Sequence, residues 1–202
     1  EPDVTKRKRF LPMGRMETGT IESVDPSKIT EDVKSSWCSS QSHMHPSKGE
    51  TLPNPSKAGA YTWLKAPRYD GKVYEVGPLA RIAMLYHAKT DANAFKLVDD
   101  VLKHFQLGPE ALYSVMGRHL SRALECKLVA DQLEGMIMQV KLDEPVCTDH
   151  KIPESAQGMG LWCAARGALG HWIEIQHGKI ARYQAVVPTT WNASPKDDKA
   201  QP

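Results

Sequence analysis

The 202 residues carry 26 Lys and Arg against 24 Asp and Glu, a formal net charge of +2, with 41% hydrophobic and 25% charged residues. That balance suits a globular chain long enough to bury a core, and it excludes a whole-protein attraction for nucleic acid or for acidic surfaces. No apolar run approaches the ~18–20 residues needed to span a bilayer. The start, Glu1-Pro-Asp-Val-Thr, has neither an initiator Met nor the apolar core of a signal peptide, and with the Gln201-Pro202 end the sequence reads as a piece cut from a longer chain.

Residues 1–74 are rich in Pro, Ser, Lys and Gly. Phe10-Leu-Pro-Met-Gly14 and Gly19-Thr-Ile-Glu-Ser-Val24 are expected as short strands, ended by glycine and by Asp25-Pro26. Ser27-Lys-Ile-Thr-Glu-Asp-Val-Lys34 is expected to make one or two helical turns, and the stretch to Ser56 an ordered, irregular loop. The segment 75–145 is helical. Pro78 sits where a helix can start without loss of a hydrogen bond, and Leu79, Ile82, Ala83 and Tyr86 follow the helical period. A second helix runs from Asp91 to His104. Gly108-Pro109 then opens the longest helix, expected to continue to about Val140 with Leu112, Val115, Met116, His119, Leu124 and Leu128 on one apolar stripe. Such a helix would be ~45 Å long, more than this chain alone can cover. In 146–202, Trp172-Ile-Glu-Ile-Gln176 and Lys179-Ile-Ala-Arg-Tyr-Gln184 flank His177-Gly178, a hairpin turn. The class is α+β, read as a single incomplete domain.

Cys38, Cys126, Cys147 and Cys163 include no C-x-x-C pair, so they form neither a redox dithiol nor a zinc knuckle and are expected as free thiols packed like small hydrophobes. His43-Met-His45, five residues after Cys38, resembles part of a metal site, but no further ligand stands at a suitable spacing. His119 is expected as a core histidine, and His171 as an anchor for a turn. Lys6-Arg-Lys-Arg9 lacks interleaved aromatics and reads as a solvated or partner-facing cluster, not a nucleic-acid site.

Chemistry concentrates in the last quarter. Arg166 lies between Ala165 and Gly167 in a run of small residues. A guanidinium keeps its charge and offers a planar fork of donors, so if buried there it needs an anion: an internal glutamate or a bound ligand. Val186-Val187-Pro188-Thr189-Thr190 leaves a strand through a proline, and a threonine hydroxyl at such a stop closes a local turn or reaches a ligand.

Four motifs in order carry a resemblance over essentially the whole chain. They are Val24-Asp-Pro-Ser-Lys-Ile-Thr-Glu-Asp-Val-Lys-Ser-Ser-Trp37; Tyr61-Thr-Trp-Leu-Lys-Ala-Pro-Arg-Tyr-Asp-Gly71 with Glu75-Val-Gly-Pro-Leu-Ala-Arg81; Arg166-Gly-Ala-Leu-Gly-His-Trp172; and Val186-Val-Pro-Thr-Thr-Trp-Asn-Ala-Ser-Pro195. The sequence thereby resembles the large, catalytic subunit of nickel-iron hydrogenases. The resemblance implies a larger fold of which this chain supplies a long-helix segment, short strands and a β-hairpin, with 146–202 lining the active site. It implies reversible oxidation of hydrogen to protons and electrons at a nickel-iron centre bearing cyanide and carbon monoxide. It also implies an iron-sulfur small subunit as partner and, through it, a membrane cytochrome b, with a membrane-associated or periplasmic setting. In that family four cysteines from two C-x-x-C motifs hold the metals. Neither motif is among these residues, so the chain by itself is expected to bind no metal centre and to be inactive.

The resemblance also assigns roles. Arg166 matches the arginine that bonds one cyanide and leans over the open metal site, Thr189 the residue that holds the other cyanide, and Leu169, Val187 and Pro188 the apolar wall around the diatomic ligands. The Ala185 backbone carbonyl matches a position near a structural magnesium. Four positions depart from the family pattern: Cys163 replaces an acidic residue, Ala165 a proline, Cys38 an aromatic and Lys196 an arginine. Two other readings remain, a hydrogen-sensing regulatory relative and a metal-free structural homologue from a respiratory complex. In each, the long helix and the 166–172 segment should expose apolar surface normally covered by other parts.

Overall fold

The computed structural model describes residues 10–145, 147 and 150–201; the basic cluster Lys6–Arg9 lies outside them. The chain divides into two compact units. One holds the described residues to Val24 together with Pro78–Leu142, the other Asp25–Gly77 and the described residues from Asp143 onward.

The first unit is helical. β1 (Arg15–Glu17) and β2 (Thr20–Glu22) form a hairpin whose central Thr18 and Gly19 both have positive φ, the geometry of a tight two-residue turn. The strand expected at Phe10–Gly14 is absent, because Phe10 and Leu11 instead lay their side chains against the helical core. α1 (Pro78–Ala88) and α2 (Ala92–His104) lie where the periodicity puts them. The Asp91 carboxylate caps α2 by accepting from the Asn93 and Ala94 amides. Ile82, Leu85, Val98, Leu102, Leu112 and Leu124 make the core. Arg81, itself buried, donates from Nε and Nη2 to the two carboxylate oxygens of Glu125 at 2.9 and 2.6 Å, tying α1 to the third helix by a bidentate pair.

The longest helix is shorter than expected. Gly108-Pro109 opens a 3-10 turn, Pro109–Tyr113, and α3 begins only at Val115 and ends at Ile137. Ser114 is the reason: its hydroxyl accepts from the Gly117 amide and starts a new helix in place of a continuation. Twenty-three residues rise ~35 Å. The buried stripe is also narrower than the apolar pattern. Gly117, Ser121, Leu124 and Leu128 face the core, whereas Val115, Met116 and His119 are exposed. Gly117 fixes that phase, since a Cβ there would come within 2.3 Å of the Ala111 and Leu112 carbonyls. His119 is therefore not a core histidine. Leu133, Met136, Ile137, Val140 and Leu142 are all exposed, as expected of a helix end covered by something else.

The second unit is built from two small sheets. Pro26–Lys28 makes a single 3-10 turn, but the rest of the expected helix is β3 (Ile29–Asp32), paired antiparallel with β4 (Ala66–Tyr69). Ile29 and Thr30 are β-branched and fit a pleated surface, and the pairing outweighs the local helical signal. β5 (Ser155–Ala164), β6 (Gly167–Gln176) and β7 (Lys179–Val186) form a three-stranded meander. His177 and Gly178 both take positive φ, as their turn requires. Pro188 opens α4 (Pro188–Asn192), a single turn. His171 stands within β6, where its Nδ1 meets the Tyr183 hydroxyl of the neighbouring strand, so it braces the sheet and not a turn. No described helix is long and apolar enough to cross a membrane.

Candidate functional site

The tip of the β5–β6 hairpin is Ala165-Arg166, closed by the Ala164–Gly167 pair. Its position depends on a second pair of residues, Val76 and Gly77, at the end of the Glu75-Val-Gly motif. Gly77 has φ +116° and Gly167 φ +136°, backbone that other residues rarely adopt. A Cβ on Gly77 would lie 2.6 Å from the Arg166 carbonyl oxygen, and one on Gly167 would lie 2.7 Å from the Gly77 nitrogen. Two backbones meet here at a separation that side chains would forbid. Asn192, at the end of α4, completes the joint: its Oδ1 accepts from the Val76 amide at 2.9 Å and its Nδ2 donates to the Val76 carbonyl at 2.8 Å. The Arg166 turn and α4 are thus both fixed to one short stretch of main chain. In the sequence Asn192 is distinguished only as part of a motif. Its clasp is invisible there because its partner stands 116 positions away.

Within this frame the side chains alternate. Val186, Pro188 and Thr190 are buried, while Val187, 38% exposed, and Thr189 face outward. On the hairpin, Gly167 and Gly170 are buried, Leu169 is half-buried and Arg166 is exposed. Buried among its small neighbours, Arg166 would need an anion; it is instead at the surface, and it forms no ion pair with any described carboxylate. A two-residue hairpin tip explains this: a reversal that tight leaves no room behind it for a long side chain. Ala185 pairs with His171 in the β6–β7 ladder. Trp162, at 61% exposure, and Met159 leave apolar side chains of β5 uncovered, one on each face of the strand. Cys163, at the place of the family's acidic residue, is exposed with its Sγ 3.8 Å from the Ala164 carbonyl.

The segment after α4 is locked by a different arginine. Arg68 of β4 is 2% exposed. Its Nε donates to Asp197 Oδ2 at 2.7 Å, its Nη1 to Ser194 Oγ at 2.8 Å and its Nη2 to the Gln201 carbonyl at 2.7 Å. Burial alone would raise the Asp197 pKa, but hydrogen bonds from Arg68 and from the Gln201 and Lys199 amides, with the Arg68 charge, outweigh it and hold the carboxyl below its usual range. A second buried pair, Lys65 with Glu31 at 3.4 Å, shares Gln184 of β7, whose Oε1 also accepts from Thr51. Here burial prevails over the Lys65 charge, and the Glu31 pKa is raised. Neither Arg68 nor Asp197 stands out in the sequence beyond its motif. The available signal was an arginine inside a four-residue strand otherwise fit for burial.

The four cysteines are free thiols. Cys38 is buried like a small hydrophobe, but Cys126, Cys147 and Cys163 are exposed, against the expectation that all four pack inside. His45 is committed to structure: Nδ1 meets Ser47 Oγ at 2.7 Å, Nε2 meets the Pro26 carbonyl at 3.0 Å, and the ring stands edge-on to Trp172.

The outward set fits an outer shell around a metal centre more than a ligand set. It offers one fixed cation with a planar donor fork, one hydroxyl and a small apolar wall, and no thiolate or imidazole among them.

The sequence profile of the nickel-dependent hydrogenase family matches residues 2–202. The chain is 40% identical over 190 residues to the large subunit of a periplasmic NiFeSe hydrogenase from Desulfomicrobium baculatum, covering 91% of this chain and 37% of that protein. It is 35% identical over 204 residues to the large chain of a quinone-reactive Ni/Fe-hydrogenase from Wolinella succinogenes, covering 88% of this chain and 35% of that one. Among solved structures it superposes on the Ni-Fe-Se hydrogenase of D. vulgaris Hildenborough in the reduced state with a TM-score of 0.82 and 36% identity, covering 98% of this chain and 42% of that chain. It therefore spans well under half the length of these relatives. The profile, the relatives and the shared fold agree, and the chain belongs to the nickel-dependent hydrogenase family.

Proposed function

We propose that this chain is the middle-to-late part of the catalytic subunit of a nickel-iron hydrogenase, which interconverts H2 with protons and electrons and passes the electrons to an iron-sulfur small subunit. The observation that carries this reading is the outward presentation of Arg166, Val187 and Thr189 by backbone locked from behind through Gly77, Gly167 and Asn192. When bound, a nickel-iron centre with cyanide and carbon monoxide on iron supplies the hydrogen-splitting chemistry, and its cysteine ligands come from outside these residues.

This chain's part is to hold and shape. The Arg166 guanidinium is a charge-assisted donor to one cyanide, and the Thr189 hydroxyl or amide a weaker, neutral donor to the other. Leu169 and Val187 would exclude water around the diatomic ligands, with Pro188 buried behind them to fix the backbone, and the Ala185 carbonyl would serve a magnesium ion. Arg166 works by placing positive charge, not by taking protons, because a guanidinium holds its proton too firmly to act as a base. Ala165 in place of proline leaves the tip's backbone less constrained in the unfolded chain. The small subunit and, through it, a membrane cytochrome b would cover the apolar faces of α3 and β5. The partner is expected from the words large chain and large subunit in the relatives' names.

Hydrogen-dependent reduction of a viologen dye by the full-length protein with its small subunit tests the proposal, alongside nickel and iron analysis. Turnover with both metals present supports it. Hydrogen binding with negligible turnover indicates a sensor, and absence of nickel after maturation indicates a structural homologue.

A further inference from the structure

Away from Arg166, the second unit gathers three side chains that no motif joins: Asp32, His43 and Asp198. Asp32 ends β3, and its side chain is 1% exposed. One of its oxygens, Oδ1, accepts from the Lys34 amide at 2.9 Å. The other, Oδ2, is buried and accepts no hydrogen bond from any described group. A buried carboxylate oxygen without a donor is costly, and this one points at a neighbour: His43 Nε2 lies 3.6 Å away. The same Nε2 lies 3.1 Å from Asp198 Oδ2. The three atoms fall within 4.8 Å of one another. A single N–H on Nε2 can serve Asp198 at 3.1 Å, but it leaves Asp32 Oδ2 unsatisfied. A cation among the three atoms satisfies all of them.

The backbone holds the three in place from three directions. His43 has φ +60°, a left-handed conformation that a non-glycine residue keeps only where its surroundings enforce it. Two hydrogen bonds enforce it here: the His43 amide donates to the Glu31 carbonyl at 2.8 Å and the Glu31 amide to the Met44 carbonyl at 3.0 Å. They lay the His43–Met44 stretch along β3 beside Asp32. Asp198 follows Asp197, whose carboxylate is gripped by Arg68 and by the Lys199 and Gln201 amides. No described Lys or Arg pairs with the Asp32 or Asp198 carboxylate. The Lys34 ammonium donates to the Asp198 backbone carbonyl, at 3.4 Å, and not to its carboxylate.

We infer that Asp32, His43 and Asp198 form a binding site for a divalent first-row transition ion. One imidazole and two carboxylates suit zinc, manganese or iron better than calcium, which prefers six or more oxygens. Bonds of ~2.0–2.2 Å to nitrogen and oxygen require the exposed His43 and Asp198 side chains to draw in slightly around the ion, with Asp32 as the fixed point. Water completes the coordination on the exposed side. The ion cross-links positions 155 residues apart and pins the 197–201 loop to β3. Sequence spacing could not disclose this site, since its second carboxylate comes from the far end of the chain.

The test uses the full-length protein in its complex, treated with chelator and desalted, with Zn2+ and Co2+ as probes. Zinc retained after equilibration is measured together with nickel and iron, and Co2+ binding is followed by its visible absorption. The expected result is one zinc ion beyond the nickel-iron content and a Co2+ spectrum of nitrogen and oxygen ligation. In His43→Ala and Asp198→Asn the affinity should fall by at least the ~10–100-fold seen when only an outer partner of a metal ligand is lost. Nickel and iron content should be unchanged. Because Asp198 is exposed, Asp198→Asn keeps the fold and decides the matter even if His43→Ala does not assemble. No zinc beyond the nickel-iron content, zinc binding undiminished in Asp198→Asn, or binding lowered as much in an Asp70→Asn control as in Asp198→Asn overturns the inference.

Discussion

Arg68 and Arg166 are two arginines in two motifs of one compact unit, and they are held in opposite ways. Arg68 is buried, and every part of its guanidinium is engaged: Asp197, Ser194, and the Pro67, Pro195 and Gln201 carbonyls. Around Arg166 the backbone is fixed as tightly, by Gly77, Gly167 and Asn192, but the side chain is left at the surface with no ion-pair partner among the described residues. A charge whose donors are all used inside the fold stabilises the fold. A charge carried on rigid main chain with no described partner is available to a group from elsewhere, as the proposed site requires. The contrast separates a structural arginine from a candidate functional one by geometry, not by residue type.

The largest effect that can break this comparison is on the structural side. Arg68→Ala leaves Asp197 buried without its cation, and stability should fall by about 3–5 kcal/mol, read from the denaturant midpoint of the full-length subunit. A loss below ~1 kcal/mol would mean that the clasp is not what holds the 192–201 segment. Next comes the backbone joint. Gly167→Ala puts a Cβ against Val76 and Gly77 at positive φ, and it should cost about 1–3 kcal/mol while displacing the Arg166 tip. Asn192→Ala removes both bonds to Val76 and should cost about 1–2 kcal/mol.

A pH titration sharpens the same contrast. The Asp197 carboxyl is held below its unfolded pKa of about 3.9, so its stabilising contribution is present above that value and is lost as pH falls through the lower folded pKa. Glu31 has the opposite sign: its folded pKa is raised, so ionising it costs stability as pH rises from its unfolded value. Asp197→Asn should therefore flatten the acid limb of the stability curve. An acid limb of unchanged slope in Asp197→Asn would assign acid unfolding to other groups. The smallest effect belongs to Arg166. Arg166→Ala should change stability by no more than ~0.5 kcal/mol, as for an ordinary surface substitution. A loss comparable to that of Arg68→Ala would remove the distinction between the two.

The parts of this fold legible in the sequence are the locally determined ones. Asp91 before an apolar period, Pro78 at a helix start and His177-Gly178 between two alternating runs each act within a few residues, and α1, α2 and the β6–β7 hairpin follow from them. Ser27–Lys34 misleads because its helical signal is local while its fate is decided by pairing with Ala66–Tyr69, more than thirty positions on. The Gly108-Pro109 break was readable, but the restart at Ser114 needed the hydroxyl-to-Gly117 cap, which competes with a simple continuation. Of the candidate site, the residue types at Arg166, Leu169, Val187, Pro188 and Thr189 came from the family motifs. Their alternation of outward and buried side chains, and the Val76–Asn192 clasp beneath them, come from contacts too distant in sequence to be read there.

Infrared spectroscopy of Arg166→Lys in the full-length, metal-loaded complex tests most directly whether Arg166 faces a cyanide ligand of the metal centre, as proposed. Lysine keeps the charge but loses the planar fork. If Arg166 bonds a cyanide, the variant should keep full nickel and iron content, shift the cyanide stretching bands and lose turnover on the order of 10²-fold, as for loss of a preorganised donor. Unshifted cyanide bands at full metal content would contradict that role and take Arg166 out of the site.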